Sequence, residues 1–424
     1  MQDWIGCEIG GAKDRRGARS IASLRVNSVG NRPESMSLEV RGLRNQWGVS
    51  PWDRTGPISV SDFHDVGKCP ASDFHDIAKH AEVVIIGAGL TGLSTAYHLA
   101  KLGVRSVVLE AGLIADGASG RTGGLVLEGT AAGILPQVDS CVAGLRKLVE
   151  AEQIDCSLHL PGCWEIEHRR DDSGSMLPWT DAAERVAIAE LLSGGTVEPA
   201  RLCVGLAHAA VAAGAVICEH ARVTKVIANR EPVVEIDQDR LHPRWVVVAC
   251  NAWIRSLLDD VPPITSSLTF ACATEPLSEA ALRELGLAER IPFYTRDRPY
   301  LWGRVTDDRR IVFGTGIVYA ESSELESVGS RSRDFKLAID QIQNRVRKLH
   351  PALAKIEFLN SWAGPIAFTE GVVPLLGVVP DCERILVAGA YAGHGVALGV
   401  RAGELLANAI VHHESLPAWG ALNR

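Results

Sequence analysis

The stretch Glu82-Val83-Val84-Ile85-Ile86-Gly87-Ala88-Gly89-Leu90-Thr91-Gly92 decides the fold. A near-continuous apolar run that meets glycine is the pattern of a strand buried on both faces. Beyond it, Leu93, Ala96, Tyr97 and Ala100 recur at helical spacing up to the stop at Gly103. Val104 to Leu109 is a second β-branched run, which completes a βαβ unit. Gly87 permits a tight turn, Gly89 lets backbone approach a pyrophosphate, and Gly92 lets helix and strand pack closely. Leu90 and Thr91 open the helix, whose free N–H groups and partial positive charge suit a diphosphate. Glu110 ends the second strand 23 positions after Gly87. A carboxylate there accepts the hydroxyls of an adenosine ribose and repels a 2′-phosphate, so NADP is disfavoured while NAD and FAD both stay open.

Outward from this unit, bulk properties set limits. A chain of 424 residues, 46% hydrophobic and 22% charged, has material for two or three folding units. Net charge of −8 argues against a nucleic-acid partner. The cysteines are scattered with no CxxC pair, which is the pattern of reduced thiols in a cytoplasm. Met1 to Arg15 lacks the apolar core of a secretory signal. Ile385 to Val400 is apolar but short, with four glycines and His394, so no membrane span is expected.

Residues 1–80 read as a loosely ordered extension. Within it Ser61-Asp62-Phe63-His64-Asp65 recurs as Ser72-Asp73-Phe74-His75-Asp76. The two His/Asp pairs raise a metal site, but no third ligand pattern accompanies them, and a duplicated surface linker is the plainer reading. Farther on, 134–153 and 181–193 read as amphipathic helices, and Ala200 to Ala213 and Asp334 to Leu349 as helices. Strand signals stand at Val216 to Cys218, Val223 to Ile227 and Trp245 to Ala249. From Ile264 to Ile317 short strands and turns dominate, with a helix near Ser278 to Leu287.

After Glu110 come Ala111-Gly112 and then Gly117-Ala118-Ser119-Gly120-Arg121-Thr122-Gly123-Gly124. Such a loop lets backbone pass close to a bulky ligand, with Ser119 and Arg121 available to phosphate oxygens. Here the sequence resembles the D-amino acid oxidase superfamily of flavoproteins, in which strand, GxGxxG, acid and GxSGRxGG follow in this order. Glu198 to Leu202 with Val246-Val247-Val248-Ala249-Cys250-Asn251-Ala252-Trp253 form a second matching block. Trp362 to Gly377 followed by Gly389-Ala390-Tyr391-Ala392-Gly393-His394-Gly395-Val396 form a third. Thr274 to Leu277 and Tyr300 to Gly314 are most similar to the gamma-glutamylputrescine oxidoreductase branch. The resemblance spans about residues 81 to 412.

That resemblance implies an α/β protein with an α+β substrate part. A Rossmann-like FAD-binding domain (81–130, 196–262 and 358–415) is interleaved with a mixed or antiparallel-sheet substrate domain (131–195 and 263–357). It implies FAD and oxidation of the C–N bond of a small amine or amino acid to an imine, with oxygen or another electron acceptor as partner. Cofactor contacts would fall on Gly87, Gly89, Leu90, Thr91, Gly92, Glu110, Ala111, Ser119, Arg121, Gly123, Gly124, Val223, Asn251, Trp253, Gly393, Gly395 and Val396. His394 would face the flavin, although a helix-start histidine also serves as a cap, and Trp253 suits the core equally well. Tyr300 and Arg304 alternate on one strand and share a face. Arg304 there either binds a substrate carboxylate or belongs to a solvated face with Asp307 to Arg310. Sarcosine oxidases attach flavin through a cysteine where Gly364 falls here, which implies non-covalent FAD. Their substrate lysine is Ala397, and their oxygen-activating lysine has no counterpart in Ile311-Val312-Phe313, which favours an acceptor other than oxygen. An NAD-linked dehydrogenase and a non-catalytic flavin sensor are the competing readings.

Overall fold

In the computed structural model, the described residues are 46–52, 64–65, 81–171, 174–236, 239–259, 261–296, 300–319, 325, 329–380, 382–420 and 422. Two sheets dominate. The seven-stranded sheet runs in the order β2 (His64–Asp65), β10 (Val216–Glu219), β4 (Ser106–Leu109), β3 (Val83–Ile86), β14 (Trp245–Val248), β21 (Cys382–Gly389) and β20 (Leu375–Val379). All its pairings are parallel except the last, β20 against β21. Val83, Val84, Ile85 and Ile86 are buried on both faces, as the unbroken apolar run requires. The chain leaves β3 for β4 on one side and returns beside it as β14 on the other. This reversal of strand order is where open parallel sheets place a ligand, beyond the carboxyl ends of the strands.

Helix α1 (Leu90–Lys101) covers this sheet and crosses α7 (Ala397–His412) at very close range. A Cβ on Gly403 would lie 2.5 Å from the Ser94 Cβ, and Ser94 Oγ donates to Val400 O at 2.7 Å. A Cβ on Gly399 would lie 3.1 Å from Thr91 Oγ1 and 3.6 Å from the Leu90 Cβ. The first turns of the two helices therefore converge at one end of the sheet. Helices α2 (Cys141–Ala151) and α3 (Pro199–Ala212) join the same apolar core through Leu145, Leu148, Leu202 and Leu206.

The nine-stranded sheet runs β1 (Gly48–Val49), β19 (Phe358–Thr369), β15 (Ile264–Thr274), β18 (Ile311–Tyr319), β17 (Trp302–Val305), β16 (Phe293–Thr295), β6 (Cys163–Arg169), β8 (Glu184–Leu192) and β7 (Ser175–Asp181). It is antiparallel apart from β16 with β6. Short helices α4 (Ile254–Leu257) and α5 (Glu279–Glu284) and the long α6 (Arg333–Leu349) connect or cover it. A three-stranded sheet of β11 (Val223–Ile227), β12 (Val233–Ile236) and β13 (Asp239–Leu241), and a pair of β5 (Leu125–Leu127) with β9 (Gly194–Thr196), complete the fold.

Four expectations change. Residues 181–193 hold the end of β7, a turn and the hairpin strand β8, not a helix, because β6 and β7 pair with the two edges of β8. Residues 358–369, expected beside the nucleotide unit, lie in the nine-stranded sheet, and α2, expected in the substrate part, packs into the core with α1 and α7. The region from Ile264 opens with an 11-residue strand rather than short ones. Finally, part of the leader is built in. Gly48–Val49 pairs with Trp362 and Ser361, Trp47 and Trp52 are buried, and His64–Asp65 forms an edge strand beside β10. The side chains of the duplicated His64 and His75 lie outside the described residues.

Among those residues no helix is long and apolar enough to cross a membrane, and no disulfide joins the described cysteines.

Candidate active site at the meeting of the two sheets

The glycine turn after β3 is dictated by contact. Gly87 holds φ +105° and any Cβ there would sit 2.9 Å from Ala249 O. A Cβ on Gly92 would lie 2.0 Å from Gly87 O, so the helix packs against its own strand end only without one. Gly89 is the N-cap of α1, with no side-chain cap and no acid in the first turn. Leu90 N donates to Ser119 Oγ at 3.0 Å, which leaves the serine proton to be given elsewhere. The remaining first-turn N–H groups stand at the positive end of a 12-residue helix, a ready anion site. Glu110 is half-buried, and its oxygens accept Ala88 N–H and Gly112 N–H, each at 2.8 Å. Burial pushes its carboxyl upward, against the pull of those two donors. Each oxygen keeps a lone pair for a hydroxyl. A second buried acid, Glu219, accepts Ile114 N–H at 2.6 Å on the neighbouring strand.

The glycine loop 117–124 is clamped by tryptophans that sequence reading did not single out. Trp52 Nε1 donates to Thr122 O at 2.9 Å and Trp362 Nε1 to Arg121 O at 2.8 Å. Gly123 meets the Trp302 ring, and Gly124, at φ +75°, meets Val197 O and Arg304 Nη1. These glycines therefore answer to the protein's own packing. Both expected arginines donate to backbone carbonyl oxygens of the protein. Arg121 is buried over the Trp47 ring, with Nε on Asp116 O at 3.0 Å and Nη1 toward Gly48 O and Ala363 O. Arg304 is 2% exposed, lies 5.3 Å over the Trp52 ring, and donates to Val197 O, Gly123 O and Gly124 O. Burial lowers its guanidinium to about 10 and raises nearby Glu198 to about 7. Arg304 is thus a buried loop clamp, and neither the carboxylate-binding role nor the solvated face describes it.

Asn251, at φ +48°, accepts Ala390 N–H through Oδ1 at 2.9 Å and so braces the loop 390–396. In that loop Ala390, Ala392 and Gly393 all have positive φ, a concentration of strain held from both sides. Ala392 N donates to Ala367 O of β19 at 3.0 Å, while Tyr391 OH shares a 2.7 Å hydrogen bond with Thr91 Oγ1 of α1. Tyr391, not among the expected site residues, joins the two sheets. His394 follows, half-buried, with Nδ1 near Ala392 O at 3.4 Å, and burial depresses its pKa so that it is neutral near pH 7. Gly395 packs on the Tyr391 ring, and Val396 begins α7 without a side-chain cap. Trp253 stacks 6.2 Å from Trp47, and its buried Nε1 has no partner. Such an orphaned donor beside Gly117 suits a ligand oxygen. Val223, 8% exposed, opens β11, and Ala111 is half-buried beside Glu110. Tyr300 is half-buried in an apolar wall with Ile366, Phe368 and Ala392, next to Gly393.

Residues 82–409 match the family described as DAO, FAD dependent oxidoreductase. Gamma-glutamylputrescine oxidoreductase of Escherichia coli is 28% identical over 367 residues, covering 77% of this chain and 82% of that protein. A probable oxidoreductase, OrdL, of Haemophilus influenzae is 28% identical over 377 residues, covering 78% and 83%. The crystal structure of glycine oxidase from Geobacillus kaustophilus superposes with a TM-score of 0.65 at 19% identity, covering 81% of this chain and 98% of that one. At that identity the likeness speaks for the fold alone.

Proposed function

The chain belongs to the FAD dependent oxidoreductase family, and we propose that it oxidises the C–N bond of a small amine or amino acid to an imine. The observation that carries this is the uncapped start of α1 beyond Gly87 and Gly89, with Glu110 beside it and the loop 390–396 closing from the other sheet. The residues present fit a flavin dinucleotide. The first-turn N–H groups of α1 behind a glycine N-cap, a half-buried carboxylate with spare lone pairs and the orphaned Trp253 indole N–H all answer to its polar groups. The α1 N-terminus and Ser119 would hold the diphosphate, Glu110 the ribose, and the Val223 backbone the adenine. The Cys250 thiol, whose Cα borders Gly87, is pushed up to about 12 by burial and stays protonated, which supports non-covalent retention.

When bound, FAD supplies the two-electron acceptor for the C–N bond. The amine gives up two electrons and two protons, C–N becomes C=N, and water hydrolyses the imine to a carbonyl compound and the freed amine. The first turn of α7 would offer roughly half a positive charge to a bound flavin. Neutral His394 and Tyr300 shape the substrate side. Ile311, Val312 and Phe313 are fully buried and apolar, which supports an acceptor other than oxygen.

Anaerobic mixing with gamma-glutamylputrescine, putrescine, sarcosine, glycine and D-alanine tests the proposal. At least one is expected to bleach the flavin, and the reduced protein should pass electrons to an artificial acceptor faster than to air. Bleaching by dithionite but by no amine contradicts amine oxidation.

A further inference from the structure

Away from the cofactor cradle, Arg345, Asp181 and His168 meet in the interior. Arg345 of α6 grips Asp181 at the end of β7 with two nitrogens, Nε to Oδ1 at 3.0 Å and Nη2 to Oδ2 at 2.5 Å. His168 of β6 reaches the same carboxylate, Nε2 to Oδ2 at 3.0 Å. The side chains are only 16%, 6% and 12% exposed, respectively. Burial works against charge on Asp181, yet the hydrogen bonds and charge of Arg345, with His168, hold its carboxyl below the usual range. Asp181 is delivered by a turn of two exposed alanines, Ala182 at φ +50° and Ala183 at φ +67°, a conformation that side-chain-bearing residues resist.

An ion cluster serving only to staple α6 to the hairpin would end at Asp181. Here the remaining arm of the guanidinium, Nη1, donates to Tyr300 O at 3.2 Å, and Thr315 Oγ1 donates to the same carbonyl. Tyr300 in turn packs with Ile366, Phe368 and Ala392, and its hydroxyl lies 3.5 Å from Thr269 Oγ1. Ala392 precedes the Gly393-His394 turn.

We propose that Arg345, locked by Asp181 and His168, is a positioning residue that sets the place of Tyr300 in the substrate-side wall. The kinetic consequence rests on the amine-oxidation reading. The positional claim does not.

The chain has five tyrosines, so fluorine NMR of fluorotyrosine-labelled holoprotein is tractable, with Tyr300→Phe identifying the Tyr300 line. Arg345→Lys is expected to shift that line while those of Tyr97 and Tyr391 stay put and flavin content is kept. With the amine that best reduces the wild type, Arg345→Lys should raise KM about tenfold with kcat within about twofold. In a Tyr300→Ala background, the same substitution should change KM by less than about twofold, since there is no ring left to misplace. If the lysine variant fails to fold, Asp181→Asn with Arg345→Gln removes both charges together and undergoes the same NMR comparison. An unmoved Tyr300 line in a folded variant, or an undiminished KM effect without the ring, overturns the proposal. If no amine bleaches the wild type, amine oxidation fails while the NMR comparison still decides the role of Arg345.

Discussion

At the scale of single residues, the glycines divide into two kinds that a sequence motif does not separate. Gly89→Ala places a methyl 2.8 Å from Ser119 Oγ at the mouth of the anion site, where a hydroxyl can rotate away. It should fold normally yet retain less than about a tenth of the flavin, read as absorbance per mole of protein. Gly92→Ala drives a methyl to 2.0 Å from Gly87 O, and its expected consequence is loss of folded protein. Trp253→Phe keeps the stack on Trp47 but removes the orphaned N–H, and should weaken FAD binding about tenfold in a titration of apoprotein. Glu198, raised to about 7 by burial beside Arg304, makes a signed prediction. Its folded pKa lies above its unfolded value, so its contribution is complete below about pH 4.5 and is lost as pH rises through about 7. Relative to Glu198→Gln, the wild type should therefore lose about 2 kcal/mol of stability between pH 5 and 8, after allowing for partial exposure. The glycines and Glu110 were legible in the sequence because their spacing is a backbone requirement. Arg121 and Arg304 were not, because an arginine near a glycine loop reads alike whether it meets phosphate or carbonyl oxygens. Only the tryptophans packed around them decide, and those come from residues hundreds of positions apart.

At the scale of elements, the nucleotide unit was legible because strand, turn and helix are contiguous and each meets its partners locally. The hairpin at 175–192 was not. Glu184 to Leu192 is rich in helix-favouring Ala, Glu and Leu, but β6 and β7 bracket it and long-range pairing overrides propensity. Its turn is forced through Ala182 and Ala183, each costing about 1–2 kcal/mol in the left-handed region. Replacing the pair by Asn-Gly should raise stability by about 1–2 kcal/mol in denaturant unfolding, with flavin content unchanged. An unchanged midpoint would mean the turn is not strained in solution. The leader strand was also hidden. Trp47 and Trp52 sit among glycines, prolines and charges that look unstructured, and their burial depends on Trp253, Trp362 and two arginines elsewhere in the chain.

At the scale of the whole molecule, two sheets built from interleaved segments meet at the loop 390–396. Thr91 fastens that loop to the nucleotide side through Tyr391, and Ala367 fastens it to the other through Ala392. The converging first turns of α1 and α7 supply positive potential at the same seam, a consequence of the small residues that let the two helices cross so closely. The sequence order of the matching blocks anticipated this interleaving, while the exact crossings, with β19 on the larger sheet, follow from register that only three-dimensional pairing sets. The most direct test is to denature carefully purified protein and to quantify and identify the released flavin. The expected result is close to one FAD per chain, freed without proteolysis. Colourless protein that also fails to take up added FAD would contradict the account.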